Sequence, residues 1–425
     1  MGSILVIGGG IAGLTVAYEL SKHKHSVTLL EAKQRLGGRI HTLVDDSFSQ
    51  PVELGAEFVH GDLPHTLSLL KEAGIPYYKI NDTMFRLEKG KWKKQEEFTD
   101  DWDELMKQMK NLQQDMTLSE FLDKYFAADK YKSLRTSVEG FAGGFDLADA
   151  ETASVKSLYK EWTNEMENQY RIDGGYKSLV EYLATQSTNN GCVIERDYCV
   201  QKIDWQENGV VVTDQRGRVF KGDKAVIAVP VSVLQADKNN DNFIAFAPAV
   251  STHQEAARNV GFGNVIKLLI EFDNNFWNDQ VKNAGFFLTN ETIPTWWTLS
   301  PENSNALTGW VGAEKTTLLK LKSDEEILGV ALQSLSSAFN MSLDDLQSNL
   351  KAYAVANWSK ENYINGGYSF NTIASTDAKR ILQQPIANTI FFAGEALFEG
   401  TPGGTVEAAI ASARHTVGQV LQVIK

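Results

Sequence analysis

Residues 3–39 read SILVIGGGIAGLTVAYELSKHKHSVTLLEAKQRLGGR, and this stretch decides the fold. Ser3 to Ile7 reads as a short buried strand, Gly8 to Gly13 as a glycine turn, and Leu14 to Ser21 as a helix. Val27 to Leu30 reads as a second strand ending at Glu31. Gly8 allows the tight turn, Gly10 lets the backbone approach a pyrophosphate, and Gly13 lets helix and strand pack closely. A helix N-terminus offers unpaired N–H groups and a positive dipole end to phosphate. Glu31, 18 residues after Gly13, stands where a carboxylate accepts from a ribose diol. Strand, glycine turn, helix and acid together predict a dinucleotide-binding βαβ unit.

Composition bounds the rest. A chain of 425 residues has room for two or three domains, and 43% hydrophobic with 22% charged residues is an ordinary globular balance. No run approaches the ~20 apolar residues of a membrane span. The strand that begins at Ser3 leaves no room for a signal peptide, so the expected location is cytoplasmic. Cys192 and Cys199 have neither metal-like nor redox-like spacing, and the seven histidines are scattered, so no metal site is expected. A net charge of −13 argues against nucleic acid as a partner. A monomer or a homodimer is expected.

Along the chain, residues 1–75 look α/β. Asp101 to Leu122 has a helical pattern, and Lys177 to Ala184 reads as another helix. Strands are predicted over Ile194–Trp205, Val210–Asp214 and Val219–Val229, then Gly263–Phe272, Phe286–Leu288, Thr295–Leu299 and Leu307–Val311. Asp324 to Phe339 is helical with Ser323 as its cap, and Val406 to Ile424 is a final helix. The expected fold class is α/β. A Rossmann-like nucleotide domain is assembled from 1–75, 190–250 and 355–425, and an α+β substrate domain from 76–189 and 251–354.

The motif Arg35-Leu36-Gly37-Gly38-Arg39 resembles the second fingerprint of the FAD-dependent amine oxidases. That family includes monoamine oxidases, polyamine oxidases and the related histone-lysine demethylases. Four further motifs carry the resemblance: Glu53 to Gly61 (ELGAEFVHG), Lys267 in VIKLLIEF, Asn357 to Phe370 (NWSKENYINGGYSF), and Phe391–Glu395 with Thr401–Glu407. The resemblance implies FAD as cofactor. It implies FAD-binding roles for Gly8, Gly10, Ala12, Gly13, Glu31, Ala32, Arg35, Gly37, Gly38 and Arg39, with Arg39 meeting the pyrophosphate. It extends those roles to Gly55, Ala56, Val200, Trp358, Gly394, Glu395, Thr405 and Val406. Glu395 is expected to accept from ribityl hydroxyls. Lys267, Trp358 and Tyr368 are implied as catalytic, with Lys267 hydrogen-bonded through water to the flavin N5. Phe58, His60, Tyr368 and Thr405 are implied to face the substrate.

Two departures from the monoamine oxidases are informative. Their flavin-bearing cysteine is replaced by Gly367, which implies non-covalent FAD, and their second cage tyrosine is replaced by Thr405. The expected reaction is oxidative deamination of a small-molecule amine. Hydride passes from the carbon beside nitrogen to FAD, water hydrolyses the imine, and O2 accepts the electrons to give hydrogen peroxide. Polyamine and monoamine substrates both fit, and Glu57 or Asp62 is a candidate partner for a distal ammonium. Two rival oxidoreductase readings are an L-amino-acid oxidase, against which Phe58 stands in place of a carboxylate-binding arginine, and a flavin desaturase or porphyrinogen oxidase. A non-catalytic flavoprotein module is the rival from another class.

Overall fold

The computed structural model describes residues 2–80, 83–95, 99–164, 168–302 and 304–424. At its centre lies a five-stranded parallel sheet. Its spatial order is Val193–Glu195, Ser26–Leu30, Ser3–Ile7, Lys224–Ile227, Ile390–Phe392. Ser3–Ile7 is the middle strand, and its four residues Ile4 to Ile7 are buried, as a strand covered on both faces requires. One face carries helices Ile11–Lys22, Lys177–Asn189 and Val406–Val423, packed through Leu14, Leu179 and Ile410. The other face packs through Leu5 and Ile227 against Val212 and Ile203 of a four-stranded sheet. The strands of the central sheet therefore come from widely separated parts of the chain.

A second, seven-stranded sheet runs in the order Leu350–Asn357, Val265–Phe272, Ala306–Gly312, Thr295–Thr298, Phe286–Leu288, Met84–Glu88, Lys91–Lys94. All eight residues of Val265–Phe272 are buried. A three-stranded sheet, Phe58–His60, Gln169–Ile172 and Tyr77–Lys79, lies beside it. Helices Trp102–Lys110, Leu118–Tyr125, Lys132–Gly144 and Val155–Thr163 form a lobe with its own core.

Three sequence expectations need correction. The single helix over 101–122 is two helices. Thr117 caps the second in a reciprocal box with Glu120, and the first ends at Lys110. The strand over 194–205 is also two, Val193–Glu195 and Val200–Gln206, which belong to different sheets. Asp197 turns the chain between them at φ 54°. The run 219–229 divides in the same way into Val219–Gly222 and Lys224–Ile227. The two strand breaks fall at short polar runs, Glu195-Arg196-Asp197 and Lys221-Gly222-Asp223-Lys224, and such a run inside an apolar stretch does not by itself mark a change of sheet.

Candidate active site

The glycine turn after Ser3–Ile7 is built without slack. A Cβ on Gly13 would sit 1.9 Å from the Gly8 carbonyl oxygen, so helix and strand touch through glycine alone. Gly10 differs: a Cβ there meets nothing nearer than Gly38 Cα at 4.0 Å and would occupy cavity space. Gly10 is the N-cap of Ile11–Lys22 and provides no side-chain cap, and the first helical turn carries no acid. Its N–H groups and positive dipole end are thus open to an anion. Glu31 is buried, and its oxygens accept from Gly9 N at 2.6 Å and Lys33 N at 2.8 Å. Burial pushes its carboxyl above the ordinary range, against those two N–H groups.

The RLGGR turn folds back on the first glycine turn. Gly37 N donates to Gly9 O at 2.8 Å. Arg35 is turned inward to its own loop, donating to Gly38 O and Ile40 O at 2.8 and 3.2 Å. It shapes the turn and, like Gly13, does not line the cavity. Arg39 does line it, and its Nη1 donates to Gly367 O at 2.8 Å and Glu395 Oε1 at 2.7 Å. Glu395 Oε2 accepts from Ser369 Oγ at 2.6 Å. Both Glu395 oxygens therefore already have protein partners, where a ribityl contact was expected.

One cavity of about 1870 Å³ runs from Glu31 past Arg39 to Lys267 and on to the helical lobe. Gly8, Ala12, Ala32, Gly37, Gly38 and Val200 line it near Glu31. Gly55, Ala56, Trp358, Tyr368, Gly394, Thr405 and Val406 line its middle. Gly55 has no room for a side chain, since a Cβ would lie 1.9 Å from Arg39 O. Trp358 is buried and donates from Nε1 to Leu54 O at 2.9 Å. The Tyr368 hydroxyl donates to Phe145 O, which ties the tyrosine to the helical lobe. Thr405 caps the last helix by accepting from Ala408 N at 3.1 Å.

Lys267 is 1% exposed and sits on the cavity wall. Its Nζ donates to Glu57 Oε2 at 2.7 Å and to Gly55 O at 3.2 Å. Glu57 also accepts from Arg171 Nη2 at 2.8 Å and Nε at 3.0 Å, and from Trp297 Nε1 at 3.0 Å. Burial alone would raise this carboxyl; Lys267 and Arg171 outweigh it and hold Glu57 below the usual carboxylate range. This corrects the expectation that Glu57 awaits a substrate ammonium, because its partners are internal. Asp62, the alternative, is exposed and accepts from Tyr170 Oη at 2.9 Å.

Aromatic rings continue the wall. Phe58 lies 5.6 Å from Trp297, 5.8 Å from Phe286 and 5.7 Å from His60 by ring centroids. His60 is followed by Phe145 at 5.7 Å, and Trp297 by Trp310 at 5.8 Å. Burial pushes the His60 imidazole down to about 4, so it is neutral at ordinary pH.

Residues 11–421 match the sequence profile of the family described as flavin containing amine oxidoreductase. The chain belongs to this family. It is 28% identical to mouse (Mus musculus) lysine-specific histone demethylase 1B over 450 residues, covering 97% of this chain and 52% of the mouse protein. It is 27% identical to Arabidopsis thaliana polyamine oxidase 2, covering 94% of this chain and 84% of that one. It thus spans about half the length of the histone demethylases it resembles. Among solved structures, wild-type putrescine oxidase superposes with a TM-score of 0.80 at 18% identity, over 99% of both chains. Cyclohexylamine oxidase from Brevibacterium oxydans gives 0.81 at 16%, again over 99% of both. These structures share the fold.

Like the rest of this flavin family, the chain takes FAD. The residues fit that cofactor on their own terms: an uncapped helix end, a glycine cradle that a Cβ would fill, and a buried acid beside it. Arg171 and Trp297 were missed as site residues. Arg171 is separated from Glu57 by 114 positions, and its neighbours Ile172 and Asp173 gave no sign of the contact. Among the described residues no helix is long and apolar enough to cross a membrane, and no group of acids, histidines and cysteines could hold a metal ion.

Proposed function

We propose that this chain is an FAD-dependent amine oxidase acting on an amine that bears an apolar substituent. The balanced reaction is amine, water and O2 to carbonyl compound, ammonia or a smaller amine, and hydrogen peroxide. FAD, when bound, supplies the two-electron acceptor for the carbon beside the amine nitrogen. The single observation that carries the reading is the aromatic wall beside Lys267, whose inner carboxylate is already neutralised.

The chain's residues have separable tasks. Phe58, Phe286, Trp297 and Tyr368 line the cavity as an apolar surface that holds an amine and keeps water from it. Such surroundings disfavour charge, so the neutral form of the amine is more populated there than in water. Neutral His60 adds no repulsive charge to this wall. Thr405, where a second cage ring would stand, leaves the space wider. Lys267, ion-paired with Glu57, puts its Nζ on the same wall and acts in the oxygen half-reaction. Gly367 offers no thiol, which supports non-covalent FAD. We assign FAD binding to segments 1–75, 190–250 and 355–425, and substrate binding to 76–189 and 251–354. Cys192 and Cys199 are buried, unbridged thiols, which supports the cytoplasmic placement.

An amino-acid substrate is disfavoured by Arg171. Its guanidinium is used on Glu57, on Ser300 O at 3.0 Å and on Thr298 O at 2.9 Å, so it is not held ready for a carboxylate. The test is a peroxide-release screen over aryl-alkyl, cycloalkyl and linear monoamines, diamines, polyamines and L-amino acids. Turnover should be highest with the apolar monoamines. Faster turnover of polyamines or amino acids would overturn the substrate assignment.

A further inference from the structure

Glu57 is a buried carboxylate whose partners come from three separate strands. Lys267 comes from Val265–Phe272, Arg171 from Gln169–Ile172, and Trp297 from Thr295–Thr298. The first and third belong to the seven-stranded sheet, the second to the three-stranded sheet. Lys267 lies 5.4 Å from the Trp297 ring centroid, and Arg171 lies 4.8 Å from that of Phe58. A lysine on four flexible carbons has no fixed aim of its own. Two of its three N–H donors are fixed here, by Glu57 and Gly55 O. Two buried cations against one carboxylate leave this cluster, whose Lys267 and Glu57 line the cavity, with one net positive charge while Glu53 is protonated.

We propose that Glu57 is a positioning residue for Lys267, and that the Glu57–Lys267–Arg171 trio presents one net positive charge to bound FAD. This rests on the oxidase reading above and on the role given there to Lys267. Removing the Glu57 charge frees the lysine to move. Removing Arg171 cancels the net charge while leaving the lysine paired. The other titratable groups facing the trio are Glu53, which interacts with both Lys267 and Glu57, His60, which interacts with Glu57, and Tyr78, paired across the sheet with Arg171, whose hydroxyl burial pushes up. Burial pushes Glu53 up to about 7, so the experiments belong at one fixed pH below that titration, where Glu53 is protonated and adds no charge to the trio.

The test separates electron delivery from the amine. Enzyme reduced by dithionite is mixed with O2, and flavin reoxidation is followed by absorbance. Glu57→Gln should slow reoxidation by about tenfold or more, and by more than it slows reduction by amine. Glu57→Asp, which keeps the charge, should recover part of that loss. In a Lys267→Met background, Glu57→Gln should add no further loss. The second readout is the reduction potential of bound FAD, which should fall in Arg171→Gln because a net positive charge stabilises the reduced, more anionic cofactor. Unchanged reoxidation in Glu57→Gln, or an equal further loss in the Lys267→Met background, would overturn the positioning role. An unchanged or higher potential in Arg171→Gln would overturn the charge assignment. If Glu57→Gln does not retain FAD, Glu57→Asp and Arg171→Gln decide: normal reoxidation in the first together with an unmoved potential in the second refutes the proposal. Failure of the oxidase reading is seen separately, as a parent enzyme that no amine reduces.

Discussion

At the scale of single residues, the cavity is governed by what burial does to charge. Lys267 is buried in direct contact with a carboxylate, so its replacement has two separate effects. Lys267→Met should keep FAD and slow flavin reoxidation by O2 by an estimated ~10-fold or more. It should also destabilise the fold by roughly 1–3 kcal/mol, because Glu57 loses one cation while Arg171 and Trp297 remain. Stopped-flow reoxidation and denaturant unfolding measure these independently, and unchanged reoxidation removes Lys267 from the mechanism. His60 gives a pH signature of opposite sign to a paired histidine. Its folded value is about 4 against an ordinary 6.5, so between those pH values the unfolded chain binds a proton that the native site refuses. Stability therefore falls as pH drops through that window. His60→Gln should lose about 2 kcal/mol less over the same interval than the parent. His41, also pushed down to about 4, and Glu53, pushed up to about 7 with the opposite sign, act in both proteins and drop out of the difference. Equal acid losses in the two proteins would show that His60 titrates normally.

At the scale of elements, the last helix does more than close the cavity. Glu407, in its first turn, reaches the start of helix Pro64–Ala73 and accepts from His65 N at 2.9 Å, Thr66 N at 2.6 Å and Thr66 Oγ1 at 2.7 Å. Leu63, the N-cap of that helix, supplies no side-chain cap, so the distant carboxylate takes its place. Glu407→Ala leaves these donors buried without a partner and should cost about 2–3 kcal/mol. Chemical unfolding of the purified variant checks this, and a loss within ~0.5 kcal/mol, the usual range for a surface substitution, contradicts it. Such a contact marks the boundary of what sequence can tell. The first βαβ unit was legible because its signals are local: Ser3–Ile7, the glycine turn and Glu31 each act on near neighbours. Ser323 capping Asp324–Phe339 was legible for the same reason. The splits at Asp197 and between Gly222 and Lys224 were not, because a run of three or four polar residues does not say that the strands on its two sides join different sheets. Arg171 and Glu57 were out of reach altogether, since a pair 114 positions apart leaves no periodic trace.

At the scale of the whole molecule, a parallel sheet gathered from distant segments opens onto one continuous cavity. The end near Glu31 and the uncapped helix is polar and fits a dinucleotide. Farther along, the wall is aromatic, with Glu57 and Lys267 of the buried ion trio part-way along it. In the proposed function this polarity sets FAD and an amine in line, with Lys267 on the wall between the Glu31 end and the helical lobe. Family membership gives the chain its FAD, while the aromatic wall carries the proposal about its reaction. The most direct measurement is an anaerobic titration of the yellow holoenzyme with an aryl-alkyl or cycloalkyl monoamine, followed at the flavin absorbance band. The account predicts complete bleaching by one equivalent of amine per flavin, with colour restored on admitting oxygen. Full FAD occupancy with no bleaching by any amine, at any concentration up to saturation, would contradict it.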